Sequence, residues 1–303
     1  MSVYDCIIVG GGPAGLSAAV YLARFNRRVA VIDRGDGRTL TYELNENYLG
    51  FPQGIHARQF TELGRQQAER FGVEFITDSL TSARYSNQQF VLDGQTTYTS
   101  KTMIIATGVK DLYPNFPHYH DYLGKSLFWC ITCDGYKSRN KKVVVVGDTD
   151  DAACTALQFL IYTTDIALVT NYEGGKDMLS EEWKQRLAEH NVPLHESTIT
   201  DLRGDDGFIK ELQLANGDSV ASEYVFNLQG AVPNTFLATE LGVDVDKNGY
   251  ILVSPEQRTN VPFLFAAGDV TAAYSHQIAT AVHEGSMAAQ AANYDLYEDF
   301  QRM

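Results

Sequence analysis

Two stretches of the chain carry the same succession of apolar and polar positions. CIIVG (6–10) is a short continuous apolar run, as expected of a parallel strand buried on both faces. AGLSAAVYLARF (14–25) follows with apolar residues at helical spacing, and then a second apolar run, VAVID (29–33). This predicts strand, helix and strand joined by a glycine-rich turn, a βαβ unit. VVVVG (143–147), DAACTALQFLIY (151–162) and IALVT (166–170) repeat the plan. Alternating, turn-rich segments at 81–98 and 198–222 predict small antiparallel meanders, one attached to each unit. VKDLYPNFPHYHDYLG (109–124), with its prolines and aromatics, predicts a crossing between domains, and a second crossing is expected near 235–250. FLFAAG (263–268) and a long helix over QIATAVHEGSMAAQAANYDLY (277–297) then return to the first domain and complete it. The expected class is α/β: two Rossmann-like dinucleotide-binding domains, the second inserted in the first. The expected bounds are 1–113 with 244–303 for the discontinuous domain and 114–243 for the inserted one.

Composition narrows the function. A chain of 303 residues is long enough for two cores, and 44% hydrophobic content is that of a folded globular protein. No apolar run approaches the roughly 18 residues of a membrane span, so no membrane partner is expected. MSVYDCIIVG runs into a strand with no basic leader or cleavage site, and a cytoplasmic location is the expectation. A net charge of −14 argues against nucleic acid, which is bound by clustered Lys and Arg. Four cysteines do not make a disulfide framework, and their spacings have to be weighed one by one.

Gly10, Gly12 and Gly15 form G-x-G-x-x-G between strand and helix. The three glycines suit a tight turn, close approach of a pyrophosphate to backbone N–H groups, and close packing of helix on strand. The helix N-terminus adds partial positive charge toward the phosphates. Gly10, Gly12, Pro13, Ala14 and Gly15 are the candidate phosphate-loop residues. Asp33, at the end of the second strand, is placed to accept both ribose hydroxyls. This unit alone accommodates NAD or FAD. IIATG (104–108) and FAAGDV (265–270) favour FAD, because flavoproteins with two dinucleotide domains close the flavin site with an A-T-G and a late G-D before a helix. Ala106, Thr107, Gly108, Gly268 and Asp269 join the candidate set, Asp269 at the ribityl or phosphate region.

FWCITCDGYK (128–137) places Cys130 and Cys133 two residues apart. One such pair cannot close a four-ligand zinc site, and the seven histidines offer no H-x-x-x-H companion, so no metal is expected. The spacing favours a redox disulfide over buried structural thiols: one thiolate attacks and the other resolves. Asp134 is either the acid that shuttles the proton of that exchange or a plain turn acid. Cys6 and Cys154, inside a strand and a helix, are expected to be inert core residues.

In order and spacing, GGGPAG (10–15), NYLGFP (47–52), ATG (106–108), CITCDG (130–135), PN (233–234), AAGDV (266–270) and the Gln277–Thr280–Gly285 helix closely resemble the low-molecular-weight thioredoxin reductases and their flavoprotein relatives. The resemblance covers nearly the whole chain. It implies the FAD/NAD(P)-linked reductase fold and a homodimer with FAD in the discontinuous domain. By similarity Cys133 faces the flavin, Cys130 attacks the partner disulfide, and Asp134 is the acid–base. Asn47, His276, Gln277 and Ile278 lie at the flavin, although His276 stands where many relatives carry arginine. The implied disulfide partner is thioredoxin or a similar small protein.

One departure bears on the electron donor. Relatives that use NADPH carry roughly G-x-G-x-x-A at the second turn and then a strand ending in basic residues that hold the 2′-phosphate. Here the positions are Gly147, Thr149 and Ala152, with Asp148, Asp150 and Asp151 among them, and the strand ends VTNYEGGK (169–176) without arginine. One carboxylate about 6 Å from a phosphate charge is unfavourable by roughly 2–3 kcal/mol at an effective dielectric of ~20, a weakening of about 30- to 100-fold. The expectation is a degenerate site that no longer takes NADPH, with a ferredoxin or a second FAD as donor. Lys137, Arg139, Lys141 and Lys142 form a basic cluster after the dithiol that is either a docking patch for an acidic partner or a solvated loop. Trp129 and Tyr136 are either contacts for flavin or partner, or core. The rivals are a conventional NADPH-dependent thioredoxin reductase, an oxygen-dependent dithiol oxidase and a silent flavin-binding protein. The oxidases tend to carry histidine after the second cysteine, where this chain has Asp134, and the intact CITCD speaks against the silent protein.

Overall fold

A computed structural model describes residues 3–41, 44–113, 116–171, 178–272 and 275–302. By contacts the chain divides into two compact units. The first comprises Met1–Thr41, Tyr48–Lys110 and Ala231–Met303, and the second Tyr42–Asn47 and Asp111–Gly230. Residues 231–243 group with the first unit, although the sequence pattern assigned them to the insert. Leu237, Ala238 and Val243 are buried in the first unit's core, which draws that segment to it.

In the first unit the strand Tyr4–Val9 lies parallel between Val29–Asp33 and Thr97–Ile105, and Glu74–Thr77 extends the sheet beyond Val29–Asp33. Thr97–Ile105 has two further neighbours. Its first half pairs antiparallel with Gln89–Asp93, the middle strand of the meander that starts at Ser82–Ser86, and its second half pairs parallel with Leu264–Ala266. The helices Pro13–Arg24 and Ile278–Asp295 pack on one face through alanines: Ala14, Ala18 and Ala19 share a core with Ala281, Ala288 and Ala292. The small side chains let the helix backbones approach closely, and a Cβ on Gly285 would lie 2.1 Å from the Ala14 carbonyl oxygen.

The second unit holds a five-stranded sheet that is parallel throughout. Its order is Leu127–Phe128, Tyr224–Asn227, Val143–Val146, Ile166–Val169, Leu194–His195. Both central runs, VVVV and IALV, are wholly buried, which explains their lack of alternation. A separate antiparallel meander, Ile199–Asp205, Phe208–Leu214 and Ser219–Ala221, matches the predicted one. Each unit thus has a central strand that ends in a glycine turn opening a helix, the position where doubly wound sheets bind ligands.

Candidate active site

The first glycine turn is built for close approach. Gly10 has φ +109°, and a Cβ there would lie 2.2 Å from the Ala106 carbonyl oxygen; one on Gly15 would lie 1.9 Å from that of Gly10. At Gly12 a Cβ would meet nothing within 4 Å, so this glycine keeps space open rather than relieving a clash. Gly12 is the N-cap of Pro13–Arg24, and no side chain caps that end. Both carboxylate oxygens of Asp33 accept backbone N–H groups, from Gly11 and from Gly35, each at 2.6 Å. The acid braces the loop, and each oxygen keeps a second lone pair for a hydroxyl.

Three contributors to this region are not among the candidate residues drawn from the sequence. Asn234 locks the A-T-G turn: its side chain donates to the Thr107 carbonyl at 2.9 Å and its N–H to that of Gly108 at 2.9 Å, while its own carbonyl accepts from the Thr107 hydroxyl at 2.7 Å. Glu284, buried on the final helix, accepts the Gly268 N–H at 2.6 Å and so holds the G-D turn. Burial pushes its carboxyl above the usual range, against the pull of that hydrogen bond. Arg38 pairs with Asp269 at 3.2 Å, both side chains 22% exposed. The PN motif gave a signal for Asn234; for Glu284 and Arg38 only the fold supplies the partner.

His276 has Nε2 buried without a hydrogen-bond partner, its ring 5.3 Å from that of Tyr250. Gln277 is the N-cap of the final helix, which begins at Ile278. Asn47 is exposed and groups with the second unit. The open space at Gly12, the uncapped helix end and the orphaned His276 nitrogen fit a bound dinucleotide such as FAD. An anionic cofactor at this loop would make the Arg38 charge necessary, because Asp269 alone would repel it. Arg38→Gln should therefore hold FAD about three- to tenfold more weakly, for a partly exposed pair worth roughly 1 kcal/mol. Flavin fluorescence titration of the apoprotein checks this, and unchanged affinity would remove Arg38 from the site.

The dithiol lies in the second unit. Cys130 and Cys133 form a disulfide, with Cα atoms 5.3 Å apart, and both are partly exposed. Cys130 is the N-cap of the single turn Ile131–Asp134, and its Sγ accepts the Cys133 N–H at 3.1 Å. Asp134 follows directly and is 4% exposed. Its Oδ1 accepts from Lys137 Nζ at 2.9 Å, and its Oδ2 is buried with no partner. Burial raises the Asp134 carboxyl above its ordinary range, the Lys137 ammonium opposes the rise, and the Glu46 charge adds to it. A buried acid with a raised carboxyl, next in the chain to Cys133, is suited to protonating a leaving thiolate.

The surrounding residues divide differently from the sequence alternatives. Trp129 is buried, edge-on to Tyr113 at 5.7 Å, whereas Tyr136 is 71% exposed. The basic cluster is not a free patch. Lys137 turns inward to Asp134, and Lys141 pairs with Glu223 at 2.8 Å; Arg139 lies against the Tyr136 ring. Cys6 is fully buried, and burial pushes its thiol up to about 12, while Cys154 is half-exposed rather than core.

The second glycine turn keeps the tight packing of the first, since a Cβ on Gly147 would lie 2.7 Å from the Ala152 Cβ. Thr149 is the N-cap of Asp150–Gln158, with the extended backbone that Gly12 also has, so its side chain stands where the first loop is open. Thr149 bridges to Met178, and Asp150 accepts the Ser180 N–H at 2.8 Å. Asp151 is exposed, and YEGGK (172–176) lies outside the described residues. Among the described residues no group of His, Cys, Asp and Glu forms a metal site, and no helix is long and apolar enough to cross a membrane.

The sequence model of the pyridine nucleotide-disulphide oxidoreductases matches residues 4–292. The chain belongs to this family. It is 33% identical over 297 residues to the thioredoxin reductase of Treponema pallidum, covering 95% of this chain and 96% of that one. It is also 33% identical over 299 residues to the glucosaminate ammonia-lyase of Pseudomonas fluorescens, covering 93% and 92%. The solved thioredoxin reductase of Streptococcus pyogenes superposes with a TM-score of 0.90 at 28% identity, covering 97% of this chain and 98% of that one. Fold and family make this chain a thioredoxin reductase-like flavin disulfide oxidoreductase, for which FAD is the expected cofactor.

Proposed function

We propose that the protein is a homodimeric FAD-dependent disulfide oxidoreductase that reduces thioredoxin or a similar small disulfide protein, with electrons from a donor other than NADPH. FAD is assigned to the discontinuous first unit and the dithiol to the second. Gly10, Gly12, Pro13, Ala14, Gly15, Asp33, Ala106–Gly108, Gly268, Asp269 and His276–Ile278 would hold the cofactor. Bound FAD would supply the electron pair that opens the Cys130–Cys133 disulfide. The Cys130 thiolate then attacks one sulfur of the partner disulfide, and the departing partner thiolate takes its proton from Asp134. Cys133 attacks the Cys130 sulfur of the mixed disulfide, which restores the intramolecular bond and releases the second partner thiol. The partner gains two electrons and two protons, and the pair Cys130 and Cys133 loses two electrons.

The observation that carries the donor assignment is the second glycine turn. Thr149 stands at the position that corresponds to the open one at Gly12, and Asp148, Asp150 and Asp151 flank it in the chain. A ferredoxin or a second FAD remains as donor. The pairing of Lys137 with Asp134 and of Lys141 with Glu223 leaves less free positive charge for an acidic ferredoxin.

A conventional NADPH-dependent reductase is the second reading. It is favoured by the relatives named thioredoxin reductase and by Asp150, whose carboxylate is already engaged by Ser180. An anaerobic titration with NADPH separates the two. The flavin absorbance should stay oxidised at stoichiometric NADPH and bleach with dithionite or reduced ferredoxin. Rapid bleaching by NADPH would return the conventional reading.

A further inference from the structure

Lys137 is placed between two carboxylates. Its Nζ lies 2.9 Å from Asp134 Oδ1 and 3.3 Å from Glu46 Oε2, and 5.1 Å from the centre of the Phe128 ring. The side chains are graded in exposure: 5% for Asp134, 26% for Lys137 and 48% for Glu46. Glu46 comes from Tyr42–Asn47, the short early segment that groups with the second unit. The acid is tied to the dithiol by the Asp134 N–H, which donates to the Cys130 carbonyl at 3.1 Å. One ammonium is therefore shared by an inner acid that directly follows Cys133 and an outer acid near solvent.

We propose that Lys137 and Glu46 act in opposite senses on the acid of the dithiol, Lys137 favouring its ionised form and Glu46, by drawing the ammonium outward, its protonated form. This rests on the proposed role of Asp134 as proton donor. Both are positioning residues, since they act through Asp134. The charged groups acting on Asp134 are these two, Lys137 from its own turn and Glu46 from the early segment. Of the other cations after the dithiol, Arg139 lies against Tyr136 and Lys141 pairs with Glu223. Although burial opposes its charge, the two carboxylates hold the Lys137 ammonium above its usual range, so it stays charged throughout the range in which the acid titrates.

The physical expectation has a sign that distinguishes it from simple damage. Removing the ammonium leaves Asp134 buried near a like charge, and it keeps its proton to higher pH. Removing the Glu46 charge commits the ammonium to Asp134, which ionises at lower pH. A proton donor works while protonated, so exchange falls as pH rises through its ionisation.

The test uses flavin-loaded enzyme reduced by dithionite, freed of reductant and mixed with bis(2-hydroxyethyl) disulfide across a pH series. The leaving thiolate of this probe is strongly basic and needs a proton. The falling limb of the rate should move to higher pH in Lys137→Met and to lower pH in Glu46→Gln. Lys137→Arg should restore it toward wild type. Rates with dithiobis(nitrobenzoate), whose leaving thiolate needs no proton, should show no opposed displacement. Unmoved limbs, or limbs moved in the same direction, would overturn the triad while leaving the dithiol mechanism in place. Failure of the reduced wild type to react with either disulfide would instead overturn the dithiol reading itself.

Discussion

Cys130→Ser and Cys133→Ser should each bring disulfide turnover down to background while the protein stays yellow. A hydroxyl cannot form the Cys130–Cys133 bond, and neither attack nor resolution proceeds without a thiolate. The local structure should survive the change. Cys130 already acts as an N-cap by accepting the Cys133 N–H, and serine is among the better residues for that task. The FAD-loop glycines belong to the first unit, so flavin content serves as the internal control. The measurement is turnover of a protein disulfide alongside visible absorbance, with dithionite as reductant if NADPH proves inert. Full turnover in both variants would contradict the mechanism.

Gly15→Val should cost both cofactor and stability, whereas Gly12→Val should cost the cofactor alone. At Gly15 the added Cβ would lie 1.9 Å from the Gly10 carbonyl oxygen, so helix and strand would have to part. Overpacking of this kind costs about 1–3 kcal/mol and lowers Tm by several degrees. At Gly12 a Cβ meets nothing within 4 Å, and its extended backbone suits a β-branched residue. The protein has performed a similar experiment on itself, since Thr149 holds the matching place in the second unit. Flavin-to-protein ratio and thermal unfolding measure the two effects separately. A Gly12→Val protein that binds FAD normally would show that this space is not needed for the cofactor, and it would weaken the argument from Thr149 as well.

Local features of this molecule were legible in the sequence and distant ones were not. The runs at 6–10 and 143–147 announce parallel strands because such strands are buried on both faces, and the glycine turns and the Cys pair are encoded within a few residues. Arg38 and Glu46 act through partners far away in the chain, at Asp269 and Lys137, and Glu284 through Gly268 across a turn and two helical turns. No short window holds both ends of such a contact. Lys137 shows the difficulty most clearly. Its neighbours in sequence suggest a basic surface, while its neighbours in space are two acids and an aromatic ring. The acids of the second loop were equally visible, but the engagement of Asp150 by the Ser180 N–H depends on a segment that returns only after the strand Ile166–Val169.

The strand Thr97–Ile105 also has a consequence for synthesis. Half of one of its edges is covered by Leu264–Ala266, residues that leave the ribosome long after it does. Until then the growing chain carries a first sheet with an unpaired parallel edge, the kind of surface on which nascent chains associate wrongly. The five-stranded sheet of the second unit, by contrast, is complete once Asn227 has emerged. The later unit in the protein's layout is therefore the earlier one able to finish folding, and the first glycine loop, made early, gains its final support only once the helix Ile278–Asp295 has emerged.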